Sequence, residues 1–393
     1  MLPKIDQEIG MDVYSTNFVG CGGRIKEKNE DFQVVELLSK SILEDINSKG
    51  KYTVYNLKKN GIDTTHALNL VRNKTGMNLK ALGLKDAHAM TEQYVCTTRT
   101  QTGNKLVNTD KVSISQIGFV NKPFSKKDMI GNQFTIKIND IKSDIASLND
   151  EIILNFYGYQ RFGSKRPVSH KIGKAIIQGD FQLAVETLLG ATSEYDTTEN
   201  NKTRQRLAEN SISYEEIPKG MDLERMIYRK MTECGDYLVA LRNIPVSMRR
   251  FFVQAYQSFL FNKTLSRIYK DEISLEAKDG DVCFNSDGKI GKYNFKADDK
   301  LAIPFVGYSY YKKTRFHEII SEVLQEENIK PADFFTKQIQ EAGNEGGFRE
   351  ALIMHQNFTV TNNIISFMLT RGSFATILLR EIMKPENPLE SGF

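Results

Sequence analysis

A chain of 393 residues is long enough for two or three domains with substantial apolar cores, and its 53 basic against 49 acidic side chains leave a net charge of only +4. So small an excess excludes a basic field over the whole surface, and any RNA binding must come from local patches. Forty per cent hydrophobic and 26% charged residues suit a soluble globular protein. No apolar run is long enough to cross a bilayer, and Met1-Leu2-Pro3-Lys4 opens no signal-peptide core, so a cytoplasmic protein away from the membrane is expected. Cys21, Cys96, Cys234 and Cys283 lie far apart without a CxxC pair, and the five histidines lack ligand spacing, which argues against a zinc site or a disulfide framework.

In chain order, Phe32-Gln33-Val34-Val35 reads as a strand. Ala67, Leu70 and Val71 recur at helical spacing after a Thr64 or Thr65 N-cap, with Gly76 as the stop. A polar turn carrying Asp86 follows, then a strand from Tyr94 to Thr98. Phe134, Ile136 and Ile138 alternate with polar residues on a further strand. The mixed pattern predicts α/β layers up to about residue 165. From 166 to 344 longer helical stretches predominate, with Phe181, Ala184, Val185, Leu188 and Leu189 behind an Asp180 N-cap and a second helix from Phe251 to Ile268. Thr192 to Ser211 reads as an exposed loop, and Gly343-Asn344-Glu345-Gly346-Gly347 as a hinge. Residues 345–393 return to strands around Phe358-Thr359-Val360 and Ile364 to Leu369, and no repeat of fixed period runs through the chain.

Asp86 is the first candidate for chemistry, because loops on a rigid scaffold carry reactive groups and an aspartate can act as nucleophile or base at neutral pH. An aspartate in such a turn is more often a solvated turn former or a cap. Its setting, Gly83-Leu84-Lys85-Asp86-Ala87-His88-Ala89-Met90-Thr91-Glu92-Gln93, resembles the GLKDxxAxTxQ signature of the TruD-type tRNA pseudouridine synthases. Six further segments resemble that family's motifs in the family's order. They are Lys26 to Phe32 with Glu36, Gly131-Asn132-Gln133-Phe134, Asn155 to Gly163, Ala255 to Asn262, Pro304-Phe305-Val306-Gly307, and Arg371 to Thr376 running on to Leu379-Arg380-Glu381.

The resemblance implies an α/β (α+β) pseudouridine synthase core with a mixed, mainly antiparallel sheet in 1–165 and 345–393, interrupted by a largely helical insertion at 166–344. It implies isomerisation of uridine, expected at position 13 of the tRNA D-arm, with no cofactor. Asp86 is the implied catalytic residue, Asn132 its hydrogen-bond donor, Phe134 the ring on which the uracil stacks, and Lys26 and Phe32 supporting groups. Read from the residues alone, Asn132 is a turn residue, Phe134 and Phe32 are core, and Lys26 is a solvated lysine.

Arg161, Lys165, Arg166, His170 and Lys171 adjoin a motif and the domain junction and lead the RNA-contact candidates, with Lys85, Arg249-Arg250 and the Tyr310 to Arg315 segment behind them. Ala87 stands where the family commonly has a basic residue, and Asn29 where it commonly has proline. Two other classes remain open: a non-catalytic RNA-binding or tRNA-folding protein, and an S-adenosylmethionine-dependent RNA methyltransferase. Gly22-Gly23 and Gly346-Gly347 fit the latter's nucleotide loop poorly. A monomer is expected, since two domains can enclose tRNA unaided.

Overall fold

In the computed structural model, which describes residues 2–98, 106–148, 151–163, 165–286, 288–296 and 298–393, the apolar alternation of the first stretch becomes one large sheet. Its strands are β1 (Phe32–Leu38), β2 (Tyr52–Asn60), β3 (Leu79–Ala81), β4 (Met90–Thr97), β5 (Val107–Asn108), β6 (Val112–Val120) and β7 (Met129–Lys137). Between β7 and the return to this sheet lie β8 (Val282–Phe284), β9 (Ile290–Lys292), β10 (Lys300–Phe305) and β11 (Gly347–Glu350), which form a second sheet in the order β11-β10-β8-β9. The chain then comes back as β12 (His355–Thr361) and β13 (Ile364–Thr370). The large sheet runs β12-β13-β7-β1-β4-β2-β6-β5, with β3 paired to β4. Among the described residues only β1 and β4 pair in parallel, so the sheet is mixed and mainly antiparallel.

The return is in register along a whole strand, from Ile364 opposite Lys137 to Thr370 opposite Gly131. A Cβ on Gly131 would lie 2.1 Å from the Leu369 carbonyl oxygen, so the glycine of the GNQF segment is what lets β13 come this close. Aromatic packing closes the seam: Phe134 stacks on Phe367 at 5.4 Å, Phe367 on Phe358 at 6.2 Å, and Phe32 meets Phe134 edge-on.

The helices Ser169–Gln178, Phe181–Gly190, Asp222–Cys234, Tyr237–Asn243 and Val246–Lys270 pack beyond the sheet. One apolar cluster runs from Val34, Ile136 and Phe367 into Ile172, Val185, Phe252 and Leu260. Asp180 caps its helix as expected, accepting from Leu183 N at 2.9 Å.

The stretch expected as an exposed loop contains the helix Thr198–Ala208. Its inward face is Thr203, Arg204 and Leu207, and Arg204 is buried against Asp196 and Glu224. A helix held by ion pairs carries no apolar stripe to read. The 343–347 segment, expected as a hinge, is stitched to the end of β10 by bonds from Tyr308 N to the Asn344 carbonyl and from Ser309 N to that of Glu345. A Cβ on Gly307 would fall 2.0 Å from Gly346 N, so glycine is what lets the two segments lie this close.

The two ends of the chain meet at a buried arginine. Arg380, fully buried, is 2.6 Å from Asp6 and 3.0 Å from Glu381, and donates to the Val13 carbonyl. Tyr159 donates to Asp6 at 2.8 Å, while Glu381 accepts from Ser15 N and Thr16 N. Arg380→Met is expected to cost roughly 3–5 kcal/mol by stranding two buried carboxylates. Arg206→Met, which removes the exposed pair with Glu216 and two bonds to the Ser211 carbonyl, is expected to cost far less. Urea unfolding midpoints of the two variants check the contrast, and equal losses would contradict it.

Candidate active site

The parallel pairing of β1 and β4 begins at Gln33 opposite Met90, so the 83–89 turn that feeds β4 sits where β1 begins. Three side chains pin its backbone. Asp63, not Thr64 or Thr65, caps the helix Thr64–Thr75, accepting from Thr65 N and His66 N. That leaves the buried Thr64 hydroxyl to accept from Lys85 N at 2.9 Å and to donate to Gln93 Oε1 at 3.0 Å. Gln93 Nε2 in turn donates to the Gly83 carbonyl at 3.1 Å. Lys59, from β2, is 3% exposed and its Nζ donates to the carbonyls of Ile62 at 2.8 Å and of Asp86 at 2.6 Å. Burial pulls the Lys59 ammonium down to about 8, against the opposing fields of Asp86 and Asp63.

With the backbone held, Lys85 and Asp86 point opposite ways. The Lys85 ammonium turns inward, 3.3 Å from Glu36 and donating to Asn132 Oδ1. Burial pushes the Glu36 carboxyl up, and the Lys85 charge resists that shift. The Asp86 carboxylate is exposed and accepts from Gln160 Nε2 at 2.8 Å. Gln160 rides on the one-turn helix Tyr159–Arg161. Asn262, fully buried, fixes the approach to that turn by accepting from Tyr157 N and donating to the Tyr157 and Ile9 carbonyls.

Lys26, in the left-handed conformation at φ 59°, lays its ammonium 4.7 Å from the centre of the Phe32 ring. Burial lowers its pKa and the nearby Asp86 charge raises it. Lys26, Phe32, Asp86, Asn132, Phe134 and Gln160 all line one cavity of about 200 Å³. A larger cavity of about 900 Å³ adjoins it, sharing Lys26, Asp86 and Gln160 and extending to Lys165, Arg166 and the helices' Met248 and Phe251. The site is thus an exposed, immobilised carboxylate beside a lysine and two aromatic rings, opening on a wide groove.

The structure therefore gathers the five central residues named from sequence, with changes in their contacts. Asn132 accepts from Lys85, and the donor to Asp86 is Gln160. Phe134 is 7% exposed, its face stacked on Phe367, so it offers the cavity only part of its ring. Among the RNA-contact candidates, Lys85 is spent on Glu36 and Asn132. His170 is core, stacked on Phe259 at 5.0 Å, and burial followed by the Lys171 charge holds it down at about 3, so it is neutral.

Arg166 donates to the Leu188 and Ala191 carbonyls and to Glu224. Arg249 pairs with Glu341 and Arg315 with Asp281. Lys165 and Lys171 are exposed, and Arg161 lies over Tyr157 and Phe251 at 5.6 and 5.7 Å. Gln160 and Lys59 were not singled out from sequence. Gln160 stands inside the Asn155 to Gly163 segment, and Lys59 follows the apolar Leu57 by two along β2, an alternation that sets it on the inward face and Lys58 on the outward one.

The sequence profile of the family tRNA pseudouridine synthase D (TruD) matches residues 8–382. An Archaeoglobus fulgidus protein named "Probable tRNA pseudouridine synthase D" is 29% identical, over 97% of this chain and 100% of its own. A Pyrococcus abyssi protein of the same name is 30% identical, over 94% and 98%. The crystal structure of a Methanosarcina mazei protein described as "Putative tRNA pseudouridine synthase D (TruD)" superposes with a TM-score of 0.79 at 26% identity, covering 99% of each chain. With the match running from the first helix to the last, through both sheets, this chain belongs to the TruD family.

Proposed function

We propose that this protein is a tRNA pseudouridine synthase with Asp86 as its catalytic carboxylate, acting on uridine 13 of the D-arm as the family resemblance implies. The observation that carries the assignment is the Asp86 carboxylate, held from its own backbone and facing a cavity lined by Phe32, Phe134, Lys26 and Gln160. The reaction breaks the bond from ribose C1′ to N1, turns the uracil in place and joins C5 to C1′; C5 gives its proton to water and N1 takes one up, so the product is an isomer. An ionised carboxylate beside C1′ serves as nucleophile, as base toward a ribose proton, or as partner to a cationic sugar. Gln160 orients that carboxylate, and the Lys26 charge balances it. The ring edges of Phe32 and Phe134 form the apolar wall that receives the uracil.

In this reading 1–165 and 345–393 form the catalytic core and 166–344 the insertion, the tRNA lies in the groove between them, and Lys165, Lys171 and Arg161 meet phosphates. The protein works in the cytoplasm as a monomer.

Tritium release from a tRNA transcript labelled at uridine C5 tests the assignment. Asp86→Asn is expected to lower release by more than about 10³-fold while RNA affinity stays within about twofold, because the lost charge sits in the reaction and not in the phosphate contacts. Equal release from both proteins removes Asp86 from the mechanism. Tight binding without release from the wild type favours a non-catalytic RNA-binding protein.

Lys59→Met keeps the buried stem and loses both carbonyl bonds. It is expected to lower kcat by about 10–100-fold at nearly unchanged KM, as displacement of a reacting group by an ångström does. A KM effect alone would show that Lys59 serves RNA binding and not the aim of Asp86.

A further inference from the structure

Leu84 is 80% exposed, two residues before Asp86. Val19, Phe295 and Leu106 are comparably bare, at 94%, 70% and 64%, but none of them borders the Asp86 cavity, whereas Leu84 does. It belongs to none of the apolar clusters. A single exposed leucine on a mobile loop would carry no meaning. This one stands on a backbone fixed on both sides, by Gln93 at Gly83 and by Thr64 and Lys59 at Lys85 and Asp86. Its neighbour Lys85 is locked inward by Glu36, so Leu84 projects from a rigid base.

We propose that Leu84 is a wedge that enters the RNA base stack where the target uridine has left it. For a carboxylate to reach C1′, the uridine must turn out of its stack, and an enzyme that works on an extruded base must bear the cost of the gap. Apolar side chains inserted between bases fill such gaps in other nucleic-acid complexes. Consecutive Cα atoms are 3.8 Å apart, so Leu84 lies within roughly 8 Å of Asp86, near enough to occupy the vacated place while Asp86 meets the ribose. Leu84 touches the substrate but takes no part in bond making, and it acts on the extruded state. The inference rests on the reading of Asp86 as the carboxylate that meets the ribose.

The test uses the full-length protein and an RNA hairpin with 2-aminopurine next to the target uridine. In the Asp86→Asn background, where no turnover intervenes, 2-aminopurine fluorescence is expected to rise on binding and to lose most of that rise when Leu84→Ala is added. With Asp86 intact, Leu84→Ala is expected to lower kcat on the hairpin by about tenfold, roughly 1.4 kcal/mol of barrier, with KM little changed. The loss should fall below about threefold on a substrate whose uridine faces an abasic position and is already unstacked, and Leu84→Met should stay within about threefold of wild type on both. Equal kcat for Leu84→Ala and wild type on the hairpin, or an equal loss on both substrates, overturns the wedge. A Leu84-dependent fluorescence rise from a protein that converts no uridine upholds the wedge and overturns the catalytic reading instead.

Discussion

An exposed carboxylate can direct chemistry only if something other than its own side chain fixes it, and here the fixing is done from below by buried polar groups acting on the main chain. Thr64, Gln93 and Lys59 come from a helix and two strands, and each bonds to the 83–86 backbone or to another of the three. Each is buried, where an unmade hydrogen bond costs more than a made one gains. The turn's main chain is therefore held from three sides, and Gln160 sets the direction of the Asp86 carboxylate that it carries. Lys59 is the costliest of the three, an ammonium held in the interior by two carbonyls, and the same burial depresses its pKa.

Fixing the turn relative to the rest of the site is a second problem, because Gln160 and the groove wall come from a distant part of the chain. The 155–163 segment is held by Asn262 from the long helix and by Arg349, which donates to the Asn155 and Phe156 carbonyls and covers the Tyr157 ring at 4.0 Å. Tyr159 then reaches Asp6, and through it Arg380. The segments around Asn155, Asn262 and Arg380 thus do one job together. They join the chain's two ends to the turn that presents Gln160, and loss of one is felt by the others.

Patterned apolar residues made much of this fold legible. Phe134, Ile136 and Ile138, or Phe181 to Leu189, declare their element by spacing alone. The helix Thr198–Ala208 did not, since Arg204 and its carboxylates replace the apolar stripe, and an inward ion pair looks in sequence like an outward one. The same ambiguity governs the site. Asp86, Asn132, Phe134, Lys26 and Phe32 could be named because seven segments resemble one family in order. Which donor faces Asp86 could not, because that depends on the choice of Gln160 over Asn132, two amides on segments that only the folded chain brings together.

Charge was the hardest property to read, for a physical reason. Local basic sequence says nothing about whether a guanidinium has already found its anion. Arg166, Arg204, Arg249 and Arg315 are all engaged with carboxylates inside the protein. Lys85 is likewise neutralised by Glu36. Among the described residues, Lys165 is exposed on the groove wall, Lys171 is exposed on the helix that follows, and Arg161 rests on aromatic rings. A groove with few uncommitted cations binds RNA less by counterion release than a basic surface does, and must rely more on stacking and shape. Shape and stacking can select one RNA conformation, whereas phosphate charge is the same at every nucleotide.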